Sequence, residues 1–322
     1  MKEFDSLIGQ KHAIELLTEA VNKNRIAPAY LFVGPPGVGK ALAAKCFIEL
    51  LFSTLVKDPR KSGTISHRVQ LRNHPDLFWV EPTYLHQGKR LSVSEATEAG
   101  LKRKSPPQIR LEQIREIGEF LSRPPLEIAR SVVVIEQAET MAEGAANGLL
   151  KTLEEPGRAT IILIAPSLDS LLPTLISRCQ RIPFYRLNQD KMKQILKLNG
   201  HEDIVSHPEI LAMAQGSPGD AIASWEQLKT ISEELLKKLK QGPKKLKDAL
   251  ELAKEIDKNL DTEAQLWLVD YLQQSYWRNH KQGTGEHYKL PLQQLEKARG
   301  YLLSYVQPKL VWECTLMAIC QG

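Results

Sequence analysis

A glycine-rich segment between a short apolar run and an amphipathic stretch constrains the fold of this chain most strongly. It reads Gly34-Pro35-Pro36-Gly37-Val38-Gly39-Lys40, which fits the pattern G-x-x-x-x-G-K. Its glycines allow successive backbone N–H groups to turn inward around a phosphate, and the helix expected from Lys40 adds partial positive charge at its N-terminus. The order strand, loop and helix is the context in which this pattern binds phosphate. The predicted phosphate-binding residues are Gly34, Gly37, Val38, Gly39 and Lys40.

Length, charge and cysteine content limit the class of protein. The chain has 322 residues, of which 42% are hydrophobic and 25% charged, so we expect two globular domains of about 150 residues each, or three smaller ones. The net charge of +5 permits contact with nucleic acid without arguing for it. The four cysteines form no C-x-x-C pair, and no run of 18 apolar residues or apolar leader occurs. We therefore expect a cytoplasmic protein with no membrane partner.

Alternation of strands and helices defines the first part of the chain. β-Branched or aromatic runs predict a parallel sheet with helices on both faces. The polar stretches 56–73 and 85–107 are interpreted as loops. After residue 185 the pattern is helical throughout, which predicts an α/β domain over 1–185, a small helical domain over 186–230 and a helical domain over 231–322. The predicted strands are Ala29–Val33, Asp76–Val80, Ser131–Ile135, Thr160–Ala165 and Arg181–Phe184.

A lysine-rich stretch runs through the start of the third domain. Six acidic residues are interleaved with its lysines between Glu233 and Asp257. This mixture favours a solvated helix face with ion pairs at i,i+4 spacing over a nucleic-acid patch. The lysines are Lys237, Lys238, Lys240, Lys244, Lys245, Lys247, Lys254 and Lys258.

The positions that normally complete a nucleotide-hydrolysing site are altered. Ala41 follows the loop lysine, where a Ser or Thr hydroxyl would bind Mg²⁺. The strand Val132–Ile135 is followed by Glu136 and Gln137, in the place of the acidic pair of a Walker B segment. A neutral amide at Gln137 cannot act as a general base. We therefore expect ATP or ADP binding to survive while Mg²⁺ binding is weakened.

Four further segments, in order, resemble the AAA+ clamp-loader subunits of bacterial replication. Phe4–Gln10 is similar to the family's adenine-pocket segment, and Asn147–Pro156 to its N-x-L-L-K-x-L-E-E-P signature. Ser177-Arg178-Cys179 matches its S-R-C motif, and Gly216–Gly219 occupies the place of its sensor 2 motif. The resemblance covers about the first 220 residues. It implies an AAA+ P-loop domain, a small helical lid over 186–230 and a helical oligomerisation collar over 231–322.

The resemblance also implies roles for individual residues. Ile8 and Ala41 would join the nucleotide site, and Arg178, placed near the carboxyl edge of the sheet, would act as an arginine finger on a neighbouring subunit. Ser167 and Gly219 would occupy the two sensor positions, where Gly219 replaces the usual arginine. Arg110 and Arg115 would face primer–template DNA, although a solvated helix face explains them equally well. The expected subunit contacts are Asn147, Lys151, Glu154, Glu155 and Pro156.

The departures at Ala41, Gln137 and Gly219 resemble those of the delta prime type of subunit in DNA polymerase III. That type implies no intrinsic ATPase but membership of a DNA polymerase holoenzyme. Its implied partners are gamma/tau motor subunits, a delta subunit and, through the complex, the sliding clamp and primed DNA. Two alternatives remain open. A catalytically active motor subunit is disfavoured by Ala41 and Gln137, and a general DNA-binding module is disfavoured by the modest charge.

A zinc module found in relatives is expected to be missing. Residues 51–74 contain His67 and His74 but no cysteine. Two histidines cannot close a four-ligand site, so no zinc is expected.

Overall fold

The computed structural model describes residues 2–56, 62–99, 106–282, 289–304 and 306–321. The chain divides into two compact units, Met1–Leu187 and Asn188–Gly322. Each unit has its own hydrophobic core, and each is described by itself below.

The first unit is built around parallel strands that alternate with helices. Its helices are α1 (Lys11–Asn22), α2 (Lys40–Leu55), α3 (Ser62–Gln70), α4 (Val93–Glu98), α5 (Leu111–Ser122), α6 (Glu143–Glu154) and α7 (Pro173–Ile176). Its strands are β1 (Ala29–Val33), β2 (Leu77–Val80), β3 (Tyr84–His86), β4 (Lys89–Leu91), β5 (Ser131–Ile135), β6 (Ala159–Ala165) and β7 (Gln180–Pro183).

Five of the described strands form one parallel sheet in the order β2-β5-β6-β1-β7. Alternate residues of each strand face opposite sides of the sheet, so every central strand contributes to two cores. Tyr30 and Phe32 pack with α1, α2 and α3 on one face, whereas Ala29 and Leu31 pack with α5, α6 and α7 on the other. The predicted parallel sheet with helices on both faces is confirmed.

Both stretches interpreted as loops contain regular structure, so that interpretation was wrong. Within 56–73 the chain forms α3. Its residues Ile65 and Val69 lie one helical turn apart, and both are buried. Within 85–107 it forms the β3–β4 hairpin and α4. The hairpin turns at Gln87 and Gly88, which both have positive φ (49° and 77°), as a two-residue turn between antiparallel strands requires.

A buried aspartate anchors the connection between α5 and β5. The two carboxylate oxygens of Asp76 accept hydrogen bonds from the backbone N–H groups of Leu126, Glu127 and Ile128 at 2.6, 2.8 and 2.7 Å. His74 lies beside it, and its Nδ1 accepts from the backbone N–H of Asp76 at 3.1 Å. Burial lowers the pKa of His74, and nearby Arg68 lowers it further. His74 is therefore a neutral core residue of this unit.

The second unit is helical in its described part, as the sequence predicts. One continuous core includes Leu235, Leu268 and Trp312. Trp312 donates its indole N–H to the side chain of buried Gln265 at 2.8 Å. The helices are α8 (Gln189–Leu198), α9 (Glu202–Val205), α10 (Pro208–Ala214), α11 (Pro218–Lys229), α12 (Glu233–Gln241), α13 (Leu246–Asn259), α14 (Thr262–Gln282), α15 (Lys289–Leu303) and α16 (Pro308–Gln321).

Candidate functional site

The glycine loop sits where β1 ends and α2 begins. Gly34, Gly37 and Gly39 have φ angles of 155°, 67° and 99°, values that L side chains rarely adopt. At Gly34 a Cβ atom would lie 2.2 Å from the carbonyl oxygen of Phe184. The close approach of Phe184, which follows β7, therefore requires glycine at this position. Three glycines of the loop thus have the positive φ angles that a phosphate cradle needs, while phosphate binding itself stays a prediction.

A cavity of about 310 Å³ opens beside this loop. The ammonium group of Lys40 donates to the carbonyls of Gly34 and Pro35, the latter at 2.5 Å. The lining comes from the loop, the start of α2 and the exits of β5 and β6: Pro36, Gly37, Gly39, Lys40, Ala41, Leu42, Glu136, Gln137, Glu139, Ile164, Ala165 and Pro166. The structure thus brings the loop and the altered acidic segment together at one edge of the sheet.

The carboxylate of Glu136 is held from the side by two residues outside the loop. Its Oε2 accepts from the indole N–H of Trp79 at 2.9 Å and from the guanidinium of Arg72 at 3.2 Å. Arg72 also lies over the Trp79 ring, 4.3 Å from its centroid, and pairs with Glu81 at 3.1 Å. This cluster, Arg72–Trp79–Glu136, ties the first acidic position to the neighbouring strand β2. Sequence reasoning missed it, because the partners lie 57 and 64 residues away.

Two more polar residues follow Glu136 at the cavity. Gln137 is exposed and adopts the left-handed conformation at a φ of 50°. The Oε2 atom of Glu139 is buried and makes no hydrogen bond within the described residues. Burial raises the pKa of Glu139, and Lys40 counteracts part of that effect. Glu139 lies in the cavity lining.

The residues present fit a phosphate group and do not fit a complete magnesium site. Backbone N–H groups and Lys40 supply donors for anionic oxygens. Mg²⁺ needs oxygen ligands, yet Ala41 has no side-chain oxygen and the Oε2 atom of Glu136 already accepts two hydrogen bonds. The loop therefore has the chemistry to hold phosphates.

A buried glutamine connects the N-terminal segment to the loop. The side chain of Gln10 donates to the carbonyls of Val38 at 3.2 Å and Tyr185 at 2.7 Å, and accepts from the N–H of Tyr185 at 3.1 Å. Ile8, the residue predicted to contact the adenine, is half-buried and outside the cavity lining. The sequence did not single out Gln10, although a polar residue before an amphipathic helix is a common signal of a helix start.

The predicted subunit-contact residues form an exposed polar stripe on α6. Asn147, Lys151 and Glu154 are exposed and lie at i, i+4 and i+7, on one side of the helix. Leu149 and Leu153 are buried on the other side. Glu155 is also exposed and Pro156 is half-buried just after the helix end. The stripe is available for contact with another molecule.

Arg178 lies at the amino-terminal edge of the sheet, so the expectation of the carboxyl edge was wrong. Gln180 at the start of β7 pairs in parallel register with Tyr30 near the start of β1, whose other end leads into the loop. The chain therefore crosses the sheet before it reaches Arg178. The guanidinium of Arg178 donates to Glu154 at 2.6 Å and to the carbonyl of Thr174 at 2.9 Å. The S-R-C motif and the α6 stripe thus meet at one edge.

The remaining predicted positions are scattered. Ser167 is exposed after β6 and lies outside the cavity lining, and Gly219 belongs to the second unit at the start of α11. Arg110 directs its guanidinium to the carbonyls of Thr83 at 2.7 Å and Gln108 at 3.2 Å, whereas Arg115 is exposed on α5. Of these two arginines, Arg110 has an evident structural task at the start of α5.

Comparison with protein families covers nearly the whole chain. The family described as "DNA polymerase III, delta subunit" matches residues 9–188, and "Cyanobacterial DNA polymerase III delta prime, C-terminal domain" matches residues 190–319. The chain belongs to the DNA polymerase III delta prime family. The delta prime resemblance seen in the sequence motifs is thereby confirmed, and the family boundary falls where the two units divide.

Individual relatives agree with this assignment. The chain is 35% identical over 188 residues to the DNA polymerase III subunit delta prime of Bacillus subtilis, covering 58% of this chain and 50% of the relative. It is 31% identical over 202 residues to the delta prime subunit of Pseudomonas aeruginosa, covering 60% and 54%. The chain thus spans about half the length of these delta prime relatives.

A solved structure shares the fold of this delta prime family member. The gamma subunit-related DNA polymerase III protein of Thermotoga maritima has a TM-score of 0.54 at 16% identity, covering 96% of this chain and 99% of the other. At that identity the likeness concerns the fold alone.

The described residues contain no group of three or more His, Cys, Asp or Glu side chains placed to hold a metal ion. None of their helices combines the length and apolar character needed to cross a membrane. The absence of zinc remains a prediction, since part of the region 51–74 lies outside the described residues.

Proposed function

We propose that this chain acts as a non-hydrolysing AAA+ subunit of a clamp-loader complex that places a sliding clamp on primed DNA. The observation that carries the proposal is the Arg72–Trp79–Glu136 cluster. Both hydrogen bonds are accepted by the Oε2 atom of Glu136, so Arg72 and Trp79 occupy that oxygen and fix the direction of the carboxylate, which leaves Oε1 as the oxygen that could reach a metal ion. Phosphoryl transfer depends on a metal that neutralises developing charge.

Three further features support the absence of hydrolysis. Ala41 offers no hydroxyl to Mg²⁺, and Gln137 offers no base to activate water. Gly219 stands where relatives carry a sensor arginine, so no guanidinium comes from that position. We propose that ATP or ADP still binds the loop, with Ile8 near the base, because backbone N–H groups supply most phosphate contacts.

Arg178 is proposed to complete the ATP site of a neighbouring motor subunit. It is exposed at the opposite edge of the sheet from its own glycine loop, and its guanidinium would exchange the ion pair with Glu154 for the phosphate of a neighbouring subunit. A guanidinium stays charged and presents a planar fork that fits phosphate oxygens. The adjacent α6 stripe with Asn147, Lys151 and Glu154 would form part of the same subunit contact.

The proposed partners follow from the family. Relatives of this chain carry the names delta prime, tau and gamma/tau subunits of DNA polymerase III. We propose gamma/tau motor subunits and a delta subunit as direct partners, with the clamp and primer–template DNA reached through the complex. Residues 1–185 would form the AAA+ domain, 186–230 the lid and 231–322 the collar, in a cytoplasmic assembly. Arg115 is the better of the two DNA-contact candidates, because Arg110 is engaged with backbone carbonyls.

The test is ATPase activity and clamp-loading rate of complexes reconstituted with wild-type or variant chains. Arg178→Ala is expected to reduce hydrolysis at the one site it serves by about 10³- to 10⁵-fold, the usual effect of losing an arginine finger. Arg178→Lys should rescue poorly, because an ammonium lacks the fork. Arg181→Ala is the matched control, since Arg181 is also exposed and lies three residues further on in β7. Assembly is checked by gel filtration.

Two results would refute the proposal. If the isolated chain turns over ATP at about one per second or faster, a typical rate for an active kinase or ATPase, and Lys40→Ala abolishes it, the chain is itself a motor. If the Arg178→Ala complex hydrolyses ATP and loads clamps at wild-type rates, Arg178 is an ordinary surface residue.

A further inference from the structure

A second cavity, of about 760 Å³, lies entirely within the helical unit and is separate from every site discussed above. Its walls come from α11, α12, α14 and the residue before α10. We call it the α11–α12 groove. It is lined by His207, Trp225, Leu228, Lys229, Ile231, Glu233, Leu236, Lys237, Lys240, Gln241 and Tyr271. Its volume falls in the range of about 300–1,000 Å³ that is usual for ligand sites.

The groove has an apolar floor and a cationic rim. Leu228, Ile231 and Leu236 contribute buried aliphatic side chains to the floor. Lys229 belongs to α11 and is paired with Glu226 at 2.9 Å, whereas Lys237 and Lys240 belong to α12. The ammonium groups that the rim offers to a ligand therefore come from α12.

The lysines of α12 divide into two sets with different surroundings. Lys238 points away from the groove and pairs with Glu234 at 2.7 Å, as expected for a solvated helix face. Lys237 and Lys240 line the groove, and neither has a carboxylate oxygen within 4.0 Å in the part of the chain that the structure describes. Lys240 is half-buried and lies 5.0 Å from the centroid of Tyr271. Two ammonium groups thus lie beside apolar surface without an ion-pair partner within 4.0 Å among the described residues, and the single carboxylate of the lining is that of Glu233.

The aromatic rings of the groove are already covered, which argues against stacking of nucleic-acid bases. Trp225 packs against His207, with ring centroids 4.5 Å apart, and Lys229 lies 5.4 Å from its centroid. Tyr271 is 2% exposed and is stacked on Trp267, with Lys240 near its ring. Binding of single strands relies on aromatic faces that bases can stack upon. The groove offers instead buried aliphatic surface beside the ammonium groups of Lys237 and Lys240.

From this complementarity we infer that the α11–α12 groove binds an acidic amphipathic peptide segment of a partner protein. Bulky aliphatic or aromatic side chains of the segment fill the floor, while its Asp or Glu carboxylates pair with Lys237 and Lys240 across the rim. An amphipathic helix that lays its apolar face in a hydrophobic groove is a recurrent mode of recognition. The complementary charges set orientation and speed of association. The inference stands independently of the role proposed for Arg178.

The test uses the full chain and a fluorescein-labelled peptide in which aspartates alternate with leucine and phenylalanine, followed by anisotropy. We expect saturable binding that the double variant Lys237→Glu/Lys240→Glu weakens by about tenfold or more, since each tenfold corresponds to about 1.4 kcal/mol. Lys238→Glu is the matched control, one residue away on the same helix, and should leave binding within about twofold of wild type. Added salt should weaken binding.

Three companion probes distinguish the other occupants. A peptide with serine in place of leucine and phenylalanine should bind weakly, and one with lysine in place of aspartate should not bind. Labelled oligothymidylate should show no loss of binding in the double variant. Circular dichroism checks folding, and Lys240→Gln replaces the double variant if that one unfolds.

The inference is overturned by any of several outcomes. These are no binding of the aspartate peptide, equal weakening by Lys238→Glu, equal binding of the serine peptide, or oligothymidylate binding that depends on Lys237 and Lys240. The last outcome would make the groove a nucleic-acid site.

Discussion

Replacement of Asp76 by alanine should open the connection between α5 and β5. Asp76 is 1% exposed and accepts three backbone N–H groups, those of residues 126, 127 and 128. Removal of its carboxylate leaves these donors without their acceptor. Hydrogen bonds to charged groups contribute about 1.5–3 kcal/mol each, so a simple sum gives about 4.5–9 kcal/mol.

The expected loss of stability is smaller than this sum, because water can accept hydrogen bonds from some of the backbone N–H groups that Asp76 leaves. Leu126 is 77% exposed and its neighbour Glu127 is also open to solvent, so their N–H groups can be hydrated. Ile128 is 4% exposed and its N–H cannot. We therefore expect Asp76→Ala to lower the free energy of local unfolding by about 3 kcal/mol, and Asp76→Asn, which keeps one acceptor oxygen, by about half as much.

Hydrogen exchange followed by mass spectrometry suits this prediction, because the chain has two units and global unfolding need not be two-state. A change of about 3 kcal/mol should accelerate exchange of the amides at 126–128 by about two orders of magnitude. Peptides from α14 in the other unit serve as the internal reference. Exchange at 126–128 within about threefold of wild type in Asp76→Ala would refute the reasoning, since that corresponds to less than about 1 kcal/mol.

Three shorter predictions concern other described residues. Gly34→Ala should destabilise the chain by about 2 kcal/mol or more and weaken nucleotide binding, because the alanine Cβ would lie 2.2 Å from the Phe184 carbonyl oxygen. Chemical denaturation measures the stability and nucleotide titration the binding. An unchanged denaturation midpoint would contradict the prediction. Folding lowers the pKa of His74, so the unfolded chain binds the proton more strongly and stability should fall as pH drops below about 6.5. Urea titrations at several pH values measure this dependence of stability on pH. His74→Gln should make it weaker, and an equal dependence in the variant would contradict the prediction. Burial raises the pKa of Cys46 to about 11, so iodoacetamide at pH about 8 should modify exposed Cys314 far sooner than Cys46. Mass spectrometry of tryptic peptides gives the order of modification. Equal rates for the two cysteines would contradict the prediction.

The central sheet could be predicted because buried parallel strands are continuous apolar runs. The bounds of β1 and β5 agree with the sequence to the residue, since Ala29–Val33 and Ser131–Ile135 are flanked by polar or turn residues. Helix α3 was missed because its apolar signal is a single i,i+4 pair, Ile65 and Val69, among small polar residues. The β3–β4 hairpin was missed because Gln-Gly is a weaker turn signal than Asn-Gly.

The sequence predicts only those features of the candidate site that lie within a single continuous segment. Glycine spacing identified the loop, and residue chemistry identified Ala41 and Gln137 as departures. The hydrogen bonds to Glu136 could not be anticipated, because their donors lie far away in the sequence. Trp79 belongs to β2, and Arg72 precedes that strand. Arg178 was assigned to the wrong edge because strand direction at β7 becomes certain only once its parallel pairing with β1 is seen.

The Arg72–Trp79–Glu136 cluster bears on how such a site could regain chemistry during evolution. Substitution of Ala41 by threonine would restore a hydroxyl, but Glu136 would still be bonded to Arg72 and Trp79. A change at Gln137 would restore a carboxylate without freeing the one beside it. Each single change would leave another departure in place, since Ala41 lies in α2 whereas Glu136 and Gln137 both follow β5. The pairing of β2 with β5 thus keeps Trp79 beside Glu136 whichever of the other two positions changes.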